Sequence, residues 1–185
     1  MDLILASASP RRKELLAYLG YSFDIEVSNI NEDILSNEKP YVYVKRVSEE
    51  KCNNVAQKNP EKTVLAADTS VVLGDLILGK PTDDADSNYI LNLLSGKRHQ
   101  VLTAVSIYSP KSETIKTEIS ETSVSFRLLS EKEINDYTLS GAGRDKAGAY
   151  GFQNSALCFI SKIEGSPSNV IGLPLEIVKP MLDGI

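Results

Sequence analysis

"TVLAADTSVVLGDLIL", residues 63–78, sets the architecture of this chain. Its first half is apolar from Val64 to Ala67 and meets a carboxylate at Asp68, the pattern of a buried strand that ends on an acid. Its second half, "VVLGDLIL", predicts a hairpin that turns at Gly74-Asp75. A continuous apolar strand needs cover on both faces, whereas a hairpin brings antiparallel pairing. With the helices that alternate with strands along the rest of the chain, this predicts an α/β fold with a mixed sheet.

The flanking sequence extends this pattern. Leu3–Ala6 is a short apolar strand, after which Ser9 is placed as N-cap and Pro10 as first residue of a helix running to Leu19, closed by Gly20. "FDIEV" (Phe23–Val27) alternates as a strand does. Pro40 starts a long helix that ends near Gln57. Thr82 is expected to cap a helix with Asp83 and Asp84 in its first turn, reaching Ser95-Gly96. "VLTAVSIY" (101–108) and "TIKTEISETSVSFRLL" (114–129) supply further strands, and Ser130 with Glu133 forms a capping box for a helix to Leu139. A Gly- and Ala-rich loop covers 140–156, "LCFISKI" (157–163) is a strand that puts Cys158 in the core, and "PLEIVKPML" (174–182) closes the chain as a helix. Strand order is not readable from this pattern.

Bulk composition narrows the function. At 185 residues the chain fits one domain with two lobes, and its net charge of −5 argues against a duplex nucleic-acid binder. The opening apolar run is too short for a signal peptide, and no stretch approaches membrane-spanning length. Cys52 and Cys158 lack CxxC spacing, which fits a reducing cytoplasm, and with a single histidine, His99, there is no multi-histidine metal site. His99 follows a turn and heads a strand, without a nucleophile elbow nearby, and reads as structural.

Several residues break the pattern their elements set. Arg11 and Arg12 fall in the first turn of a helix, the electropositive end, where two cations make sense if an anion such as phosphate sits among them. Lys51 lies on the stripe of Val44, Val47 and Val55, so it either snorkels to solvent or points into a cleft toward an anion. Asp68, at the carboxyl end of its strand, stands where open α/β sheets form ligand crevices, and Glu32 in "NINED" is a candidate partner. "GDLILGKP" has P-loop spacing, but Pro81 replaces the Ser/Thr that would contact magnesium, so the P-loop is rejected; Lys80 remains a point charge able to reach a phosphate. "DDADSN" fails as an EF-hand, with Tyr89 at the glycine position and Ser95 at the glutamate position. "RDKAGAYGFQ" (144–153) combines glycines that permit close approach with Gln153, whose amide can read a base edge.

Taken together, "LASASPRR" (5–12), "SEEKC" (48–52), "AADT" (66–69), "GKP" (79–81), "SGKRHQVLTAV" (95–105), "DKAGAYGFQ" (145–153) and "GSPSNVIGLPL" (165–175) resemble the Maf family of nucleoside triphosphate pyrophosphatases across essentially the whole chain. The resemblance implies a single elongated domain of 1–185 with its active site in a cleft between two lobes, a cytoplasmic homodimer, and no membrane partner. It implies the branch acting on dTTP and UTP, modified pyrimidine nucleotides included, with base preference carried by Thr69, Gln153 and Arg11 or its neighbour Arg12. By the same resemblance Asp68 is the proton acceptor, and Ser7, Arg12, Glu32, Lys51 and Lys80 match the other active-site positions. A divalent cation, Mg²⁺ or Mn²⁺, would be held by Glu32 and Asp68. The chain departs from the family at "GAGR" (141–144), Asn154, Cys52 and Pro167, the first two in the loop that carries Gln153. The family's association with inhibition of septum formation makes a nucleotide-binding regulator with little turnover the competing expectation.

Overall fold

Local chemistry sets the element boundaries in the computed structural model, which describes residues 2–152 and 154–185. After β1 (Leu3–Leu5), the Ser9 hydroxyl accepts from the Arg12 N–H at the start of α1 (Pro10–Tyr18), and Gly20 leaves it with φ +83°. β2 shrinks to Asp24–Ile25, both exposed at the sheet edge, shorter than the alternation of "FDIEV" suggests. α2 (Pro40–Ala56) buries Val44, Val47, Cys52 and Val55. β3 (Thr63–Leu73) and β4 (Leu76–Leu78) form the expected hairpin about Gly74-Asp75. α3 (Asp84–Leu94) is capped by Asp83, whose carboxylate accepts from the Asp86 N–H at 2.8 Å. Thr82 is therefore not the cap: its N–H instead donates to the Asp86 carboxylate.

β5 (Arg98–Ser109) and β6 (Thr114–Phe126) pair over their full length. α4 (Glu131–Leu139) carries the complete Ser130–Glu133 capping box. β7 begins only at Ile160 and runs to Glu164, because Leu157–Phe159 belong to a tight 3-10 turn; Cys158 is exposed, not core. α5 (Pro167–Ile171), a five-residue helix capped by Ser166, has no counterpart in the sequence reading, and α6 (Leu175–Asp183) closes the chain.

Among the described residues seven strands join one mixed sheet in the order β2-β1-β3-β5-β6-β7, with β4 added to the far end of β3. β2 and β3 lie parallel to β1, and the remaining pairs are antiparallel. One side of β3 is paired with β5 without a break from Val64 to Val72. On its other side β1 pairs only as far as Leu65, and β4 takes over only at Val71. Among the described residues, Ala66–Ser70 therefore have no strand partner on that edge. Asp68 sits in the middle of this notch. The expectation that its strand ends there is corrected: β5 alone carries β3 past the acid, so a polar residue interrupts the apolar run without interrupting the ladder.

Side-chain alternation divides the core about β3. Val64 and Ala66 face Cys52 and Val55 of α2, whereas Leu65 and Ala67 face Leu16 of α1 and Leu173 and Val178 near α6. Beyond the notch, a third cluster gathers Leu91, Phe126, Tyr137, Tyr150 and Phe159 under α3 and α4. His99 belongs to this region, edge-on to Phe126 and Tyr150, with Nε2 2.7 Å from the Tyr150 hydroxyl. It is buried as expected of a structural residue. No helix among the described residues is long and apolar enough to cross a membrane.

Burial pulls the His99 imidazole down from its ordinary value near 6.5 to about 4. The unfolded chain then takes up a proton at this residue below about 6.5 that the native state refuses until about 4. Native stability should accordingly hold above that window and fall by about 3 kcal/mol as pH drops through it. Urea unfolding between pH 7 and pH 4 checks this, and the His99→Gln variant should lose that part of the slope.

Candidate active site

The notch exposes two faces of one strand to two different helices. Residues 66, 68 and 70 point to the α2 side, and residues 67, 69 and 71 to the α1 side. Lys51 therefore meets Asp68, and Arg12 meets Thr69. The Lys51 ammonium lies 2.8 Å from Asp68 Oδ1 and 2.9 Å from Glu32 Oε2. Lys51 is 8% exposed and Asp68 6%, whereas the Glu32 side chain is about half exposed on the loop before α2. Lys51 does not snorkel; its place on the apolar stripe of α2 aims it at a buried acid.

On the other face the Arg12 guanidinium is held in three directions. Nε donates to the Gly172 carbonyl at 2.9 Å, Nη1 to the Ser7 hydroxyl at 3.3 Å and Nη2 to the Thr69 hydroxyl at 3.1 Å. Thr69 also contacts the Thr103 hydroxyl at 3.0 Å, and Thr103 donates to the Asn169 carbonyl. Burial lowers the Arg12 pKa from its ordinary value, a shift that the negative charge of Asp68 opposes. Arg11 points elsewhere: it bridges to Asp145 at 3.2 Å, tying the first turn of α1 to the 144–151 segment.

These groups line a single cleft of about 520 Å³, within the range of small-molecule sites. Ser7, Arg11, Arg12, Glu32, Lys51 and Asp68 contribute to it, together with Thr69 and the exposed Lys80. Its far wall is apolar, built from Val71, Leu78, Val101 and Tyr150. Gly148 keeps that wall closed: its N–H donates to the Gly79 carbonyl, its φ is +70°, and a Cβ there would come within 2.8 Å of Val71. Gln153 lies outside the described residues. The other candidate site residues, Ser7, Arg11, Arg12, Glu32, Lys51, Asp68, Thr69 and Lys80, all line the cleft.

Some groups that shape the site were not among the candidate residues, although Asn169 and Gly172 lie in the "GSPSNVIGLPL" stretch. Tyr43 donates its hydroxyl to the Glu32 carbonyl at 3.0 Å, and burial, followed by the charges of Asp68 and Glu32, pushes its pKa up to about 12. It lies eight residues before Lys51 on the same face of α2, a phase that points to it once Lys51 is placed in a cleft. Asn169 and Gly172 come from the unforeseen α5 segment and act only through tertiary contact.

No group of three or more His, Cys, Asp or Glu among the described residues forms a metal cage. The donors present are two carboxylates converging on one point, already bridged by an ammonium. This oxygen-only pair fits a hard divalent cation that takes one or two protein carboxylates and completes its shell with water and phosphate oxygens.

A mixed α/β sheet whose central strand is notched at an acid, with cations gathered on both faces of one cleft, defines the class of protein to which this chain is compared. The chain matches the model of the Maf-like protein family over residues 2–185, and it belongs to that family. Relatives carry the name dTTP/UTP pyrophosphatase. The one from Vibrio parahaemolyticus is 47% identical over 95% of this chain and 92% of its own. That from Colwellia psychrerythraea is 46% identical over 94% and 83%, and that from Bacillus pumilus 43% identical over 94% and 91%. Among solved structures, protein VC0702 from Vibrio cholerae aligns over 98% of this chain and 97% of its own at 9% identity with a TM-score of 0.43, too slight a likeness to carry any argument.

Removing one partner of a buried ion pair leaves the other charge uncompensated. Lys51→Met should therefore cost about 3 kcal/mol of stability at pH 7. Adding Asp68→Asn to that variant should restore part of the loss, a non-additivity that urea unfolding of the single and double variants measures.

Proposed function

We propose that this protein hydrolyses dTTP and UTP, and modified pyrimidine nucleotides of the same shape, to the nucleoside monophosphate and pyrophosphate. The observation that carries the reading is the convergence of Lys51, Asp68 and Glu32 beside Arg12 in one cleft of nucleotide size. The names of the relatives supply the substrate class.

On this reading the triphosphate enters among Arg11, Arg12, Lys51 and Lys80, with the N–H groups at the start of α1 completing the cradle. Asp68 orients a water and accepts its proton as the water oxygen bonds to phosphorus. The bridging bond between the α- and β-phosphates breaks, and pyrophosphate leaves. Lys51 holds Asp68 in place for that transfer, and its second bond aligns Glu32. Ser7 fixes the Arg12 fork. Glu32 and Asp68 would also hold Mg²⁺ or Mn²⁺, which when bound supplies charge neutralisation at the phosphates. Positioning and fixed charge, not covalent chemistry, supply the acceleration. Base preference falls to Thr69 and Gln153 with Arg11 or Arg12.

Product analysis tests the reading with purified protein, Mg²⁺ or Mn²⁺, and a panel of dTTP, UTP, CTP, ATP, GTP and methylated GTP. The expected result is monophosphate plus pyrophosphate, fastest from dTTP or UTP. Asp68→Asn should lower kcat by about a hundredfold or more while nucleotide binding persists. Orthophosphate as product, or no cleavage of any nucleotide with either metal, would overturn the proposal; in the second case a nucleotide-binding regulator becomes the better account.

A further inference from the structure

Glu32 poses a problem of placement. It lies in a stretch with no regular secondary structure between β2 and α2, and residues 31–37 are all exposed. Burial therefore cannot fix it, yet its carboxylate meets Lys51 at 2.9 Å. The ties that hold this loop come from α2. Arg46 grips Glu38 with two parallel bonds, Nε to Oε1 at 2.6 Å and Nη2 to Oε2 at 2.8 Å. The same Nη2 donates to the Asp33 carbonyl at 3.0 Å, the residue next to Glu32. Glu38 in turn accepts from the Leu35 N–H at 3.0 Å, so its carboxylate closes the loop on itself.

Arg46 is itself anchored. Its guanidinium lies 5.7 Å from the centre of the Tyr43 ring, and its remaining nitrogen reaches Glu50 at 3.3 Å, one turn further along the helix. Tyr43 supplies the second tie, to the Glu32 carbonyl at 3.0 Å. Bidentate pairing fixes direction as well as distance, which a lysine at this position cannot reproduce. Asp33 and Glu32 are thus each held by a main-chain carbonyl, leaving the Glu32 side chain aimed at Lys51.

We propose that Arg46, seconded by Tyr43, is a positioning residue that sets the Glu32 carboxylate against Lys51 and Asp68. It touches no reacting atom and acts through the loop. The inference rests on the reading of Glu32 as part of the hydrolytic site. One rigid helix then carries both Lys51 and the strut that delivers its second carboxylate, so the two cannot drift independently.

The test is a double-mutant cycle with dTTP. Arg46→Met should lower kcat about tenfold to a hundredfold with little change in the KM for nucleotide. In a Glu32→Gln background the same change should cost less than about twofold, because the group it positions is gone. Arg46→Lys should recover little, and Tyr43→Phe, which deletes one hydroxyl, should show a smaller loss of the same sense. Hydrogen exchange of the 28–38 segment in the nucleotide-free protein should quicken in Arg46→Met, while α2 beyond Ser48 stays protected. An equal loss in both backgrounds would make Arg46 merely structural and overturn the inference, as would an unchanged kcat in Arg46→Met. If Arg46→Met does not fold, Arg46→Lys and Tyr43→Phe are put through the same cycle and judged by the same two outcomes. Should Glu32→Gln by itself leave kcat unchanged, the reading of Glu32 fails first and the positioning role falls with it.

Discussion

The gap in pairing along one edge of β3 is the constraint on which the site depends. Between Leu65, where β1 stops, and Val71, where β4 starts, the strand is held by β5 alone. An unpaired strand edge is ordinarily a liability to be covered. Here the Ser7–Pro10 turn and the loop that carries Glu32 border it, and the cleft forms beside it. Because β3 continues through the gap, strand alternation still applies, and one short segment delivers Asp68 to one helix and Thr69 to another. A strand that ended at Asp68 would have left both residues on a turn without fixed direction.

Charge is arranged around that gap with little slack. The chain is net negative, yet Arg11, Arg12, Lys51 and Lys80 gather at one cleft. Lys51 is compensated by two carboxylates and Arg11 by Asp145, whereas Arg12 spends its hydrogen bonds on neutral oxygens of Ser7, Thr69 and Gly172. Arg12 and Lys80 thus leave positive charge uncompensated by ion pairs among the described residues, a standing attraction for a polyanion. The buried Lys51–Asp68 pair is costly to desolvate and weak as a source of stability. Its presence at the bottom of a cleft is better explained by chemistry than by folding.

Much of this was legible in one dimension. The anomaly of Lys51 on an apolar stripe, the two arginines at the wrong end of a helix and the acid after an apolar run each violate a local rule, and each marks a residue of the cleft. What the strand pattern missed was the continuation of β3 past Asp68. Apolar periodicity weakens at "DTS", and nothing local says that β5 will hold the strand through it. Cys158 was misplaced for the opposite reason: an apolar-looking run was taken for a strand, although its first residues fold as a tight turn with Cys158 exposed. Thr82 lost the capping role to Asp83 because both residues cap well and only the backbone geometry selects one.

By itself, the sequence determined the kind of fold, the helices with their Ser9 and Ser130 caps, the β3–β4 turn, and the identity of the charged groups that break pattern. Those are local matters, governed by periodicity, capping and turn chemistry within a few residues. Only the tertiary structure decided which of these groups meet. Glu32 and Asp68 converge on Lys51 across three separate segments, and Arg12 meets Thr69 and, from 160 residues away along the chain, the Gly172 carbonyl. Such meetings depend on strand register and on which face of β3 each helix covers, quantities set by pairing partners far off in sequence. Arg46 illustrates the division: nothing in its own stretch of sequence singles it out, and it ties the Glu32 loop to α2 only when that loop folds back onto the helix.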